Sequence, residues 1–307
     1  MKRDFYYIIG AEHAGESIEF FLKSKGYSKH IIIQVRDAGG ITVDGSHAIT
    51  PQKLNQGQTL HIHLEEMVSS PRIVPTPLPF PIIYEDEDLM IINKPSNMPI
   101  HPSQGNFENT LANAAAWYFQ QKGEPYVYRV INRLDRDTTG LLILAKHALS
   151  ACILSQMSSR REIHREYLAI ARGRVGSRGS ICAPIGRADA STVLRCVDWE
   201  NGDDACTHYR RILYCERADC SLVRLRLETG RTHQIRVHMK HIGHPLPGDF
   251  LYNPDYRLMK RQPLHSCQLD FCHPITREEM HFEEGLPGDM QWICSGEGLS
   301  PIPSEAP

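Results

Sequence analysis

The sequence predicts an α+β protein of two units: a small N-terminal α+β module and a larger domain with a mixed, mainly antiparallel sheet flanked by helices and loops. Three observations predict it. Short strand-like and helix-like patterns are interspersed along the chain, with Gly and Pro turns between them. Residues 71–81 hold five prolines, a stretch that can neither pair in a sheet nor continue a helix, so it reads as an extended linker. The 307 residues, 41% of them hydrophobic, are enough for one large core or two separate ones.

The elements follow in order. In the first unit, residues 1–70, a helical pattern over 17–25 puts Ile18, Phe21 and Leu22 on one face, with Ser17 as its cap. A second helix over 29–38 ends at Gly39-Gly40. Ile41-Thr42-Val43 then meets Asp44-Gly45, a hairpin signal. Residues 60–64 alternate and read as a strand. Beyond the linker the larger domain runs over 82–295. Strands are expected at 82–84 and 89–92, and an Ala-rich helix over 110–120. The wholly apolar run 141–145 has the character of a buried strand, and a helix over 148–157 follows it. Further strands fall at 167–171, 209–214 and 222–227. Residues 296–307 are rich in Pro and Ser and read as a flexible tail.

Composition narrows the class. A charged fraction of 23% with 8% aromatics is that of a soluble protein, neither disordered nor fibrous. No stretch approaches the ~20 apolar residues that span a bilayer, and the first 15 residues carry no signal-peptide pattern. Nine scattered cysteines, an odd number, point to reduced thiols in a cytoplasmic protein and not to a disulfide framework. The net charge of -2 conceals a sorting of charge along the chain. Residues 129–187 hold 11 Lys/Arg against 4 Asp/Glu, a net of +7, whereas 270–307 hold 1 against 8, a net of -7. A basic surface suits a polyanion, although a basic run is equally often a solvated face.

The stretch most informative about chemistry is 130–146, V-I-N-R-L-D-R-D-T-T-G-L-L-I-L-A-K, a charged loop that runs straight into the apolar strand. Asp135 stands between Arg133 and Arg136, with Asp137 close behind. Reactive groups often sit on loops held by a rigid strand. On its own, such a cluster reads more readily as a structural ion-pair network than as a site.

The stretch Asn132-Arg133-Leu134-Asp135-Arg136-Asp137-Thr138-Thr139-Gly140 resembles the active-site motif of the RluA-type RNA pseudouridine synthases, H-R-L-D-x-x-T-S-G followed by an apolar strand. Further blocks resemble that family in the same order: Asn93-Lys94-Pro95 with His101-Pro102; Arg165-Glu166-Tyr167-Leu168-Ala169; the run from Glu228 through Thr229-Gly230-Arg231-Thr232-His233-Gln234-Ile235-Arg236-Val237 to His238; Gly243-His244-Pro245 with Gly248-Asp249-x-x-Tyr252; and Leu264-His265-Ser266 with Phe271-x-His273-Pro274. The resemblance covers about residues 80–290.

The resemblance implies a pseudouridine-synthase fold for the larger domain and an isomerase that needs neither cofactor nor metal. Such an enzyme breaks the N-glycosidic bond of a uridine, turns the uracil and rejoins it through a ring carbon. It implies that Asp135 is the carboxylate acting at the sugar, where it must be ionised. A nearby arginine lowers a carboxylate's pKa by roughly 1–3 units. The resemblance gives that part to Arg236, for which a two-point pairing with Asp135 is expected. Tyr167 is implied as the tyrosine facing the base and a candidate to take the proton from the ring carbon; without the motif, a strand tyrosine reads as core. Arg133 is the candidate to fill the gap left by a flipped-out uridine. Ile235 is expected in the pocket wall, and Arg231, Arg160 and Arg161 are candidate phosphate contacts.

Three positions depart from the family pattern: Asn132 where His is usual, Thr139 for Ser, and Asn97 for Gly. The N-terminal unit resembles, more weakly, the small ribosomal-protein-type RNA-binding module often joined to these enzymes, but its 7 Lys/Arg and 8 Asp/Glu give it a net charge of -1. Cys267, Cys272, His265 and His273 match no zinc spacing, so core thiols are expected there and at Cys215 and Cys220, with no metal site. The partner is expected to be RNA, ribosomal RNA of the large subunit ahead of transfer RNA, with no membrane partner and a monomeric chain. Two other functions fit less of the sequence: a non-catalytic RNA-binding protein of the same fold, and a carboxylate-dependent glycoside or nucleoside hydrolase, which needs a second acid about 5–10 Å from the first.

Overall fold

The computed structural model describes residues 1–189 and 193–295; the tail expected at 296–307 lies outside them. In the N-terminal unit the order is β1 (Lys2–Ile8), α1 (Ile18–Ser24), α2 (Lys29–Asp37), β2 (Ile41–Val43), β3 (Ser46–His47) and β4 (Thr59–Glu65). The strands form an antiparallel sheet in the order β1-β4-β2-β3. Ser17 and Ser28 cap the two helices by accepting hydrogen bonds from the backbone N–H of Phe20 and Ile31. Asp44 and Gly45 both have positive φ, 50° and 79°, as a two-residue hairpin turn demands. Strand β1 is not visible in the sequence pattern: Phe5 is its one buried residue, and the strand exists because all seven residues pair with β4.

The larger domain carries β5 (Ile82–Glu85), β6 (Leu89–Lys94), α3 (Leu111–Gln121), β7 (Thr139–Ala145), α4 (Ala148–Ser159), β8 (His164–Arg172), β9 (Arg178–Cys182), β10 (Ile185–Arg187), β11 (Arg195–Val197), β12 (Cys206–Cys215), β13 (Cys220–Leu227), α5 (Gln234–His241), β14 (Leu264–Cys272), β15 (Glu279–Glu283) and α6 (Trp292–Ser295). Among the described residues, nine strands form one sheet, β5-β6-β7-β14-β8-β13-β12-β9, with β15 on the side of β14. Its pairs are antiparallel except β7 with β14. The expected α+β fold with a mixed, mainly antiparallel sheet is the one observed.

Strand β7 is the axis of the core, and all seven of its residues are buried. Its alternation sends Leu141, Ile143 and Ala145 to one side and Leu142 and Leu144 to the other. The first side packs with α4 and with Phe5, Phe21, Leu22 and Ile62 of the N-terminal unit, so one hydrophobic cluster runs through both units. The second side packs against α3, α5 and Tyr167. A strand covered on both faces reads as a continuous apolar run, which is why the sequence shows it so plainly. Arg3 pairs with Asp88 at 2.8 Å and Arg129 with Glu66, so buried charges also join the two units. The proline-rich segment lies along α3, where Asn113 Nδ2 donates to Val74 O at 2.8 Å and Asn113 O accepts from Thr76 N–H.

The cysteine expectations need two corrections. Cys182 and Cys206 face each other in the β9–β12 register and are joined as a disulfide, so the thiols are not all free. Cys215, Cys220 and Cys267 are buried as expected, but Cys272 is exposed, at the end of β14.

Candidate active site

The loop 132–138 enters β7 and is fixed from below. Asn132 is buried, its Oδ1 accepting from Ile143 N–H at 2.9 Å and its Nδ2 donating to Leu141 O at 3.4 Å. The amide therefore pairs with a carbonyl and an N–H on one edge of the neighbouring strand, which an imidazole with one donor and one acceptor can imitate without carrying charge. Lys94, fully buried at the end of β6, donates to Pro95 O, Met98 O and Arg136 O at 2.8, 2.9 and 2.8 Å. It thus ties the entry loop to the loop that bears Asp135. Burial pulls the Lys94 ammonium down to about 7, against the opposing charges of Asp137 and Asp135. Gly140 has φ +111°, and a Cβ there would collide with the Ser266 backbone of the parallel strand β14.

Asp135 projects into a cavity of about 830 Å3 whose lining includes Arg133, Tyr167, Arg231, Ile235 and Arg236. Its carboxylate is partly exposed, at 27%, while the Arg236 side chain is 1% exposed. Arg236 Nη1 donates to Asp135 Oδ2 at 2.7 Å. The two-point pairing expected between these residues is not there. The fork of Nε and Nη2 is taken by Asp249, at 2.7 and 2.8 Å, and Asp249 is wholly buried. A planar guanidinium offers two usable edges. Asp249 occupies one and fixes the plane, leaving Nη1 aimed at Asp135. Burial works against the Arg236 charge, but the hydrogen bonds and charges of Asp249 and Asp135 overcome it and raise its pKa above the ordinary arginine value.

Two more side chains complete the floor. His233, at φ 58° in front of α5, has its Nδ1 2.9 Å from the Tyr252 hydroxyl and its Nε2 3.9 Å from Asp135 Oδ1. Burial lowers its pKa, so the ring is neutral near pH 7. The Tyr252 ring lies 5.0 Å from the Arg236 guanidinium carbon.

Tyr167 and Ile235 are each 4% exposed and line the same cavity from β8 and α5. Burial pushes the Tyr167 phenol up, so it is protonated at neutral pH. Arg133 is exposed at the rim without an ion pair to another described residue. Arg161 lines the cavity, 4.0 Å from Glu228. Arg231 also lines it but is held by Asp203 at 3.3 Å and by Asp204 O. Arg160, grouped with them from the sequence, is exposed but outside the lining.

Asp249, Tyr252, His233 and Lys94 were present in the motif blocks, but no part was expected of them. Asp137 does not offer a second free acid, because it is engaged by Arg136 at 2.8 Å. Asp249 accepts from Arg236 and from the backbone N–H of Leu251 and Tyr252. The separated acid pair of a hydrolase is thus not formed by either of them.

Residues 88–241 match the family described as RNA pseudouridylate synthase. An uncharacterized RNA pseudouridine synthase of Bacillus subtilis, YjbO, is 37% identical over 288 residues, 93% of this chain and 98% of that protein. Ribosomal large subunit pseudouridine synthase D of Escherichia coli is 38% identical over 265 residues, 81% of this chain and 80% of that one. Among solved structures, human RNA pseudouridylate synthase domain containing 1 superposes with a TM-score of 0.58 at 26% identity, over 68% of this chain and 84% of its own. With a matching fold, a matching family and relatives aligned along nearly its whole length, the chain belongs to the RNA pseudouridine synthases, isomerases that convert uridine to pseudouridine in RNA.

Proposed function

We propose that this enzyme isomerises uridines in structured ribosomal RNA of the large subunit, with Asp135 as its catalytic carboxylate. One observation carries the assignment: in the cavity the partly exposed carboxylate of Asp135 is aimed by a buried arginine whose other edge is locked. A flipped uridine would enter between Asp135 and the Tyr167–Ile235 wall. The ionised carboxylate acts at the sugar carbon as the N-glycosidic bond breaks. Arg236 holds it in orientation throughout. The freed uracil turns against Tyr167 and Ile235, and its ring carbon bonds to the sugar. That carbon then gives up its proton while the ring nitrogen gains one, so nothing is oxidised.

Tyr167 is neutral at rest, which suits stacking and hydrogen-bond donation; to accept the carbon-bound proton it must first pass on its own. Arg133 fills the place of the extruded base, offsetting an unstacking cost of a few kcal/mol. Arg161 and Arg231 stand at the rim for phosphates, and Arg160 reaches the same RNA from beside the cavity. Every group in this scheme comes from one chain, which fits a monomer. An RNA substrate fits a cytoplasmic site of action. No helix among the described residues is long and apolar enough to cross a membrane.

Large-subunit RNA is favoured by the E. coli and Vibrio relatives named for that subunit. The test is a pseudouridine map of total RNA from cells with and without the gene, with Asp135→Asn as the complementing variant. The expected result is loss of one or more large-subunit positions, restored by the wild type but not by Asp135→Asn. Loss confined to transfer RNA would replace the substrate, and rescue by Asp135→Asn would overturn the catalytic assignment.

A further inference from the structure

Beside the cavity, three strands bring together four side chains that the isomerisation does not use. Cys182 of β9 lies opposite Cys206 of β12, and Ser180 lies opposite His208. The Glu228 N–H donates to Cys206 O at 3.2 Å, which extends the Cys182–Cys206 row to the end of β13. Cys206 and His208 share one face of β12, with buried Thr207 between them on the other. His208 Nε2 is 2.6 Å from Glu228 Oε1, and the ligand atoms of Cys206, His208 and Glu228 all lie within 4.8 Å of one another. Cys182, bonded to Cys206, brings a second sulfur to the same spot. The donors come from β9, β12 and the residue after β13, so no ligand spacing appears in the sequence.

We propose that, once the disulfide is reduced, Cys182, Cys206, His208 and Glu228 bind one divalent ion of the zinc class. A dithiol supplies the reduction: two electrons and two protons pass to the cysteine pair, and the dithiol leaves as a disulfide. Metal binding then displaces the two thiol protons, while the single imidazole proton of His208 sits on Nδ1, toward Ser180, and Nε2 and the Glu228 carboxylate turn from each other to the ion. Two thiolates, an imidazole and a carboxylate suit zinc, whereas magnesium and calcium call for oxygen ligands. With metal–sulfur bonds of about 2.3 Å and metal–nitrogen bonds of about 2.0–2.1 Å, tetrahedral donors sit roughly 3–4 Å apart, so side-chain rotation after reduction separates the two sulfurs, and His208 Nε2 from Glu228 Oε1, to make room for the ion.

Two neighbours support the ligands. Ser180 Oγ lies 2.7 Å from His208 Nδ1, placed to accept its N–H and leave the Nε2 lone pair for the ion, as partners of metal-bound histidines do. Arg226, opposite His208 in the β12–β13 register, offsets the excess negative charge. A second cluster, Asp86, Asp88 and His273, lacks this character because Arg3 and His147 already satisfy Asp88. The zinc-class site adjoins the catalytic loop: Cys206 N–H donates to Thr229 Oγ1 and Cys206 O accepts from Gln234 Nε2, at 3.3 and 3.0 Å. An ion there braces the turn that leads to His233 and Arg236.

The full-length protein, reduced with a phosphine and freed of excess reagent, is titrated with Co(II) as a spectroscopic probe and then with Zn(II). The expected result is one equivalent of tetrahedral Co(II) with thiolate charge-transfer absorption, displaced by zinc and not formed by the oxidised protein. Cys182→Ser and Cys206→Ser each remove most of that absorption, and Ser180→Ala weakens binding about 10-fold or more. Circular dichroism checks that each variant is folded, and exposed Cys182 provides a variant that spares the core. Absence of Co(II) binding by the reduced wild type overturns the proposal. So does absorption that survives both Cys206→Ser and His208→Ala, which would locate the ion on other cysteines.

Discussion

Asp249→Asn is the sharpest perturbation of the catalytic frame, because it changes one oxygen for an NH2 group at a wholly buried position. In the native cluster, Arg236 shares three hydrogen bonds between two carboxylates, at 2.7, 2.7 and 2.8 Å. An asparagine keeps one acceptor and turns a donor toward a guanidinium that can only donate. One arm of the fork is then unmet, and half the counter-charge is lost. Breaking a buried ion pair costs about 3–5 kcal/mol. Asp135 remains as a counter-ion, which places the expected loss near the lower end, about 3 kcal/mol. At roughly 2–4 °C per kcal/mol for a chain of this size class, Tm should fall by about 6–12 °C. The freed guanidinium rotates toward Asp135, so the rate of isomerisation at saturating RNA should fall while RNA affinity is preserved, since Asp249 is not exposed to RNA. The assay combines thermal unfolding with single-turnover release of tritium from the uridine ring carbon that becomes bonded to the sugar, below the variant's unfolding temperature. A variant within about 1 kcal/mol of the wild type and equally fast would show that the locked edge of Arg236 contributes neither stability nor orientation.

Three further outcomes follow from the same geometry. Tyr167→Phe removes a hydroxyl from a 4% exposed side chain; it should leave the fold intact and slow isomerisation by about 10²–10⁴-fold if the hydroxyl moves a proton, and normal turnover would reduce the tyrosine to packing. Lys94 has a folded-state pKa of about 7, below its ordinary value of 10.5, so between those values the unfolded chain holds more proton; its contribution to stability rises with pH through that window and is flat below it. Comparing urea midpoints from pH 6 to about pH 9 for wild type and Lys94→Met should show that rise only in the wild type, and identical slopes would refute the shift. Gly140→Ala puts a side chain at positive φ against the Ser266 backbone, so it should part β7 from β14 and yield little folded protein; a soluble variant with an unchanged Tm would contradict that approach.

Much of the fold was legible where local chemistry alone decides. The helices of the N-terminal unit announce themselves by the Ser17 cap and the Gly39-Gly40 stop, and the Asp44-Gly45 turn by its tolerance of positive φ. Strand β7 shows as an apolar run because it is buried on both faces. Helix α5 was not legible for a related reason. In Gln234–His241, apolar residues 235, 237 and 239 alternate with polar ones, and a strand would show the same period. Six successive residues of this helix are buried, so no solvent face imposes a period near 3.6. Strand β1 escaped because its pairing with β4, and not its own pattern, makes it a strand.

The sequence by itself determined the chemical inventory of this protein: an acid on a loop leading into a buried strand, a tyrosine on another strand, and an arginine farther on, in an order that resembles one enzyme family. Tertiary structure decided how those groups are shared. It gave the fork of Arg236 to Asp249 and a single arm to Asp135, set Arg160 outside the cavity that Arg161 lines, and gathered Cys182, Cys206, His208 and Glu228 from β9, β12 and the end of β13. The physical reason is that hydrogen-bond direction and burial depend on where separate strands and helices come to rest, and the order of residues along a chain carries no direct record of either.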